Sequence, residues 1–168
     1  MPDYLKTYEM YRRDLDGALQ QITDEEFFAA PGGTAHSVAV IIRHLSGNFT
    51  SRFTDLLTSD GEKPWRDRES EFQSTAQDRN EVMADFENAW QIMHDTVSSL
   101  RPDDLSATIT IRGKPLSVED ALLRSVAHFA SHVGQVIMIG KQFRSDEWHY
   151  LSIPPGESEA YNRQSDRR

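Results

Sequence analysis

"SVEDALLRSVAHFASHVGQVIMIGKQF", residues 117–143, is the stretch that decides the architecture. Val118, Leu122, Phe129, Val133, Val136 and Ile137 recur at steps of three and four, which puts them on one side of a long helix. Ser117 followed by Asp120 supplies a box-like start. The same run carries His128 and His132. Four residues turn a helix through about 400°, so both rings leave it from one strip, close enough to share an ion. Ala121 and Ser125 continue that strip, at the border of the apolar stripe. Gly134 is read as a position that lets another helix approach closely.

Outward from this helix, three more segments repeat the pattern. Leu5, Tyr8, Tyr11, Leu15, Ala18, Leu19 and Ile22 form the first, which ends near "QQITDEEFF"; there Thr23 and Glu26 have capping-box spacing. "PGG" at 31–33 breaks the chain. A second helix is predicted from Ser37 to Thr58, with Val38, Ile41, Ile42, Leu45, Phe49, Phe53, Leu56 and Leu57 inward. The third covers Ala76 to Leu100, with Ser74 and Gln77 as its capping box and Val82, Met83, Phe86, Trp90, Met93, Val97 and Leu100 as its stripe. "ATITIRGKPLS", before the fourth helix, alternates around an Arg-Gly turn and predicts a short hairpin. Residues 152–168 read as a tail containing one helical turn.

The expected fold is therefore all-α, a four-helix bundle forming one domain over 1–168. Its long connection, "TSDGEKPWRDRESEFQST", exceeds what neighbouring helices need. Extended at about 3.3 Å per residue, it spans ~60 Å against ~30 Å for a 20-residue helix, so helices two and three can run parallel. Trp65 in this loop is expected either to fold over a pocket or to tuck onto the core.

Composition narrows the chemistry. There is no cysteine, which excludes disulfides, thiolate metal sites and a cysteine nucleophile. A net charge of −9 disfavours nucleic acid as a partner. No apolar run approaches the ~20 residues of a membrane helix and the N-terminus has no signal-like h-region, so no membrane partner and a cytoplasmic location are expected.

His44, in "VAVIIRHLSGN" on helix two, is the third ligand candidate beside His128 and His132; Asn48 and Arg52 follow it on the same strip. Three neutral imidazoles leave a divalent ion its full charge and an open position. Spacing alone leaves a second reading open, in which the three rings merely pack or cap within a bundle. His36, His94 and His149 are assigned to ordinary structural or solvent positions. Zincin chemistry needs Glu after the first histidine, where Phe129 stands. No Glu-x-x-His pair, phosphate-binding glycine loop or G-x-S-x-G elbow is present.

"HSVAVIIRHLSGN" (36–48), "TSDGEKPWRDRESEF" (58–72), "HFASHVGQVIMIGK" (128–141) and "LSIPPGESEAYN" (151–162) together resemble the DinB/YfiT-like superfamily of small bacterial four-helix-bundle metalloproteins, near its bacillithiol-transferase group. The likeness covers about residues 4–163. It implies a divalent metal ion, Zn, Ni or Fe, on His44, His128 and His132. It also implies a low-molecular-weight thiol and an electrophilic small molecule as partners, with homodimers common among relatives. The resulting expectation is a metal-dependent thiol S-transferase with no catalytic side chain assigned. Asn48, Arg52, Arg124 and Gln135, one or two turns from the ligands, are its candidate substrate contacts. The alternatives are a metal- or small-ligand-binding stress protein without turnover, and a metal-dependent hydrolase.

Overall fold

The computed structural model describes residues 3–73 and 78–165. Four long helices form a bundle: α1 (Tyr4–Leu19), α3 (Val38–Phe53), α4 (Arg79–Ser99) and α5 (Val118–Arg144). A short α2 (Asp24–Phe28) and an α6 (Ser158–Ser165) are the other α-helices among the described residues, and β1 (Thr108–Ile111) pairs antiparallel with β2 (Lys114–Ser117). Among the described residues, no helix is long and apolar enough to cross a membrane.

Side chains start most of these helices. Asp3 accepts from the Lys6 N–H, Ser37 from Val40, Asp78 from Asn80 and Ser117 from Asp120. The Thr23–Glu26 capping box is fully formed. Each such cap stabilises its helix by about 1 kcal/mol, because it satisfies an amide that has no partner inside the helix. The Arg112–Gly113 turn takes positive φ at both positions, 55° and 69°. That is the primed geometry that two-residue hairpins favour.

Two boundaries differ from the sequence expectation. The second long helix stops at Phe53 rather than Thr58. Thr54 is extended and Asp55 takes a φ of 50°, while the terminal Phe53 carbonyl accepts a bond from Thr96 Oγ1 at 3.1 Å. Beyond the break Leu56 still reaches the core, but Leu57, expected inward, is 45% exposed. The third long helix begins at Arg79, capped by Asp78; the expected Ser74–Gln77 box lies outside the described residues. After α5 the tail makes two helical turns, not one.

Helix directions follow from the contacts. Phe49 of α3 meets Phe86 and Trp90 of α4, and Phe53 meets Thr96, so α3 and α4 run parallel as the long connection permits. Arg12 bonds Glu87 while Arg79 bonds the Leu19 carbonyl, so α1 and α4 are antiparallel. Tyr4 bonds Glu119 and Tyr8 packs on Phe129, so α1 and α5 are parallel. The centre is an aromatic cluster. Tyr8, Phe49, Phe86 and Phe129 are fully buried, with Phe53 and Trp90 packed edge-on or tilted against them. This cluster fixes the separation and rotation of α3 and α5, and thereby aims the residues beside it.

Candidate metal centre

His44 projects from α3 toward the α5 strip that carries His128 and His132. His44 Nε2 lies 3.1 Å from His128 Nε2, and His132 Nε2 lies 3.2 Å from the same atom. One nitrogen of each ring falls within 4.8 Å of the other two. Donors sharing a tetrahedral ion at about 2.0–2.1 Å stand about 3.3 Å apart, so the three are close enough to hold one ion. His36 and His149 are exposed and His94 is partly buried; none of them joins this cluster.

Proton accounting shows two bare nitrogens facing a third. His44 Nδ1 stands 2.8 Å from Glu71 Oε2, and a carboxylate only accepts, so the His44 proton sits on Nδ1. His132 Nδ1 stands 2.7 Å from Gln135 Oε1, which fixes its proton the same way. Both rings therefore turn an Nε2 lone pair toward His128. His128 has one N–H and cannot satisfy both, while its Nδ1 is buried with no partner among the described residues. A cation among the three Nε2 atoms satisfies every lone pair at once.

Electrostatics keeps the two α5 rings neutral. Burial, reinforced by the neighbouring His132 and His44, lowers His128 to about 4. Burial also lowers His132, outweighing the bond to Gln135. Neutral imidazole is the form that ligates.

Behind His44 stands a buried pair supplied by the long connection. Arg66, 2% exposed at its side chain, grips Glu71 with Nε to Oε1 at 2.8 Å and a terminal nitrogen to Oε2 at 3.0 Å. Burial works to raise the Glu71 carboxyl, but bonds from His44 and Arg66 outweigh it and hold the group below its ordinary range. Gly47 makes room for this. A Cβ there would lie 2.2 Å from Glu71 Oε1. Gly134, expected to admit a neighbouring helix, has open space around it instead. Trp65, one residue before Arg66, is 58% exposed and neither lines the cavity beside the histidines nor packs on the core.

That cavity, about 190 Å³, is bounded by α3, α5, the loop and the hairpin. His44 and His128 form one wall, and Asn48, Arg52 and Arg124 line it as the sequence suggested. Gln135 does not line it: its carbonyl oxygen is spent on His132. Arg66, Arg68 and Arg112 also line the cavity and were not anticipated. The hairpin is tied to the loop by Asp60, which accepts from the Glu62, Arg112 and Gly113 amides; these bonds hold its carboxyl far below the usual range.

Glu71 and Arg66 were missed because they lie in a segment with no periodicity. The only signals were the length of that loop and a glycine three residues after His44.

A family model described as "Protein of unknown function (DUF1572)" matches residues 2–157. No curated protein and no solved structure matches the chain. With nearly its whole length covered by that model, the chain belongs to the DUF1572 family.

Proposed function

We propose that this chain is a metalloenzyme of the DinB/YfiT-like kind that transfers a low-molecular-weight thiol to an electrophilic small molecule. His44, His128 and His132 hold a divalent ion, Zn, Ni or Fe, through their Nε2 atoms. When bound, such an ion supplies Lewis acidity that favours the thiolate form of a nearby thiol.

The residues of the chain contribute orientation. Glu71 and Gln135 fix the tautomers of two ligands, and the aromatic cluster fixes the spacing of their helices. Asn48, Arg52 and Arg124 hold the substrate beside the histidine wall. In the transfer, the thiol proton leaves to solvent, a sulfur–carbon bond forms, and the electrophile's leaving group departs with its electron pair. The chain has no cysteine, so the sulfur comes from the cosubstrate.

One observation carries this reading: three imidazole Nε2 atoms converge, and two of their rings, His44 and His128, stand on the wall of a cavity lined by five arginines and no carboxylate. Hydrolysis is better served by a general base beside the open position, and no Asp or Glu is found among the described lining residues.

Protein loaded in turn with Zn, Ni and Fe(II) is incubated with bacillithiol, mycothiol or glutathione and a chlorinated aromatic electrophile. The expected result is a conjugate by mass spectrometry with at least one thiol, lost when the metal is removed. No conjugate with any thiol, at full metal occupancy, removes the transferase and leaves a binding protein.

A further inference from the structure

The charge around the cavity is unevenly spent. Five guanidiniums line it, in a chain whose net charge is −9. Arg66 is committed to Glu71 in bidentate fashion. Arg52 gives one terminal nitrogen to the Gly61 carbonyl and the other to Glu62 Oε2 at 2.9 Å. Arg68 stacks over Phe72 and reaches exposed Glu69.

Two arginines keep donors in reserve. Arg112, on the hairpin turn, bonds Glu62 Oε2 through Nε at 3.1 Å. That leaves its two terminal nitrogens without a partner among the described residues. Arg124, on α5, has no hydrogen bond or ion pair with any described residue. Glu62 is thus the single carboxylate shared by Arg52 and Arg112, and no lining residue is acidic. Crowding is evident at Arg52, where burial and then the charges of Arg66 and Arg112 lower the guanidinium against the pull of Glu62.

Planar guanidinium forks match the paired oxygens of a carboxylate or a phosphate. From this we infer that the hairpin and α5 form an anion subsite, with Arg112 and Arg124 as its specificity-determining residues for a small organic carboxylate or phosphate. Arg52, which also lines the cavity, adds charge. The inference rests on the cavity being the substrate pocket proposed above, but not on sulfur chemistry. It narrows the substrate class: one reactant carries an oxyanion placed on the hairpin side of the cavity while its reacting end meets the histidine wall.

Because a bound ion would itself attract anions, the test uses chelator-treated protein. Succinate, acetate and inorganic phosphate are titrated at constant ionic strength, with binding followed by calorimetry and by amide chemical shifts. At least one probe is expected to bind saturably at one site, shifting Arg112, Gly113 and Arg124 amides. Arg124→Gln and Arg112→Gln each weaken it by about tenfold or more, since each removes a charged donor. Arg13→Gln, on an exposed face of α1, leaves affinity unchanged.

Circular dichroism shows whether each variant is folded. Preference for phosphate over succinate identifies the oxyanion. Absence of saturable binding by all three probes overturns the subsite, as does equal weakening by Arg13→Gln. Saturable binding without any thiol conjugate keeps the subsite and removes only the transferase. A conjugating enzyme whose KM for the thiol and for the electrophile ignores both arginine substitutions overturns the subsite and keeps the transferase.

Discussion

The two sides of the histidine cluster are built differently. On the α3 side, His44 is 5% exposed and is backed by a carboxylate that a buried arginine locks in place. On the α5 side, His132 is only partly buried and backed by the exposed, neutral amide of Gln135, while His128 Nδ1 has no partner among the described residues. A carboxylate backing raises the donor strength of an imidazole and fixes its ring. A neutral amide orients without adding charge. His44 is therefore the most firmly held of the three rings.

The largest effect expected is from the three histidines themselves. His132→Ala and His44→Ala should each abolish stoichiometric metal, measured by elemental analysis after dialysis beside wild type. Equal metal in variant and wild type would remove the site. This experiment tests the cluster but not the difference between its sides.

The sharper test compares the two backing residues. Glu71→Gln is expected to weaken metal affinity by about 10- to 100-fold. It also leaves Arg66, 2% exposed, with an uncompensated buried charge, which costs about 3 kcal/mol of stability. Gln135→Ala should weaken metal at the low end of that range, about tenfold, and change stability by less than ~0.5 kcal/mol because the residue is exposed. Competition with a chromogenic chelator and urea melts read both quantities. If Gln135→Ala is the more damaging of the two, the proposed asymmetry is reversed.

The smallest effect concerns pH in metal-free protein. His128 titrates near 4 when folded against 6.5 for an ordinary histidine. Between those values the unfolded chain takes up a proton that the folded chain refuses. Stability therefore falls as pH drops from about 6.5 toward about 4, by about 1–2 kcal/mol once partial exposure is allowed for. Urea melts of chelator-treated wild type and His128→Gln should diverge across this range. Parallel pH slopes would show that the ring is not refusing the proton.

Sequence periodicity located all four long helices, because burial on one face repeats every three to four residues. It overran at α3, where Leu56 and Leu57 continue an apolar pattern past a backbone break at Thr54 and Asp55. The histidines were legible because two share one helical strip and the third lies at the border of another stripe. Their support was not. Glu71 reaches His44 across 27 residues of sequence through a loop, and such pairings leave no periodic trace. Glycines show the same limit: Gly47 and Gly134 both sit in helices, yet only Gly47 faces a side chain that forbids a Cβ.

Glu71 sits on the crossover that lets α3 and α4 point the same way, so chain routing and ligand support share one strap. Lengthening such a strap costs little, about 0.6 kcal/mol per doubling. Lifting it costs much more, since the strap cannot rise without taking Glu71 away from Nδ1 of His44 and freeing that ring to rotate. Opening of the crossover and loosening of the His44 ring are thus one mechanical event, which couples the long connection between α3 and α4 to the most buried histidine among the described residues.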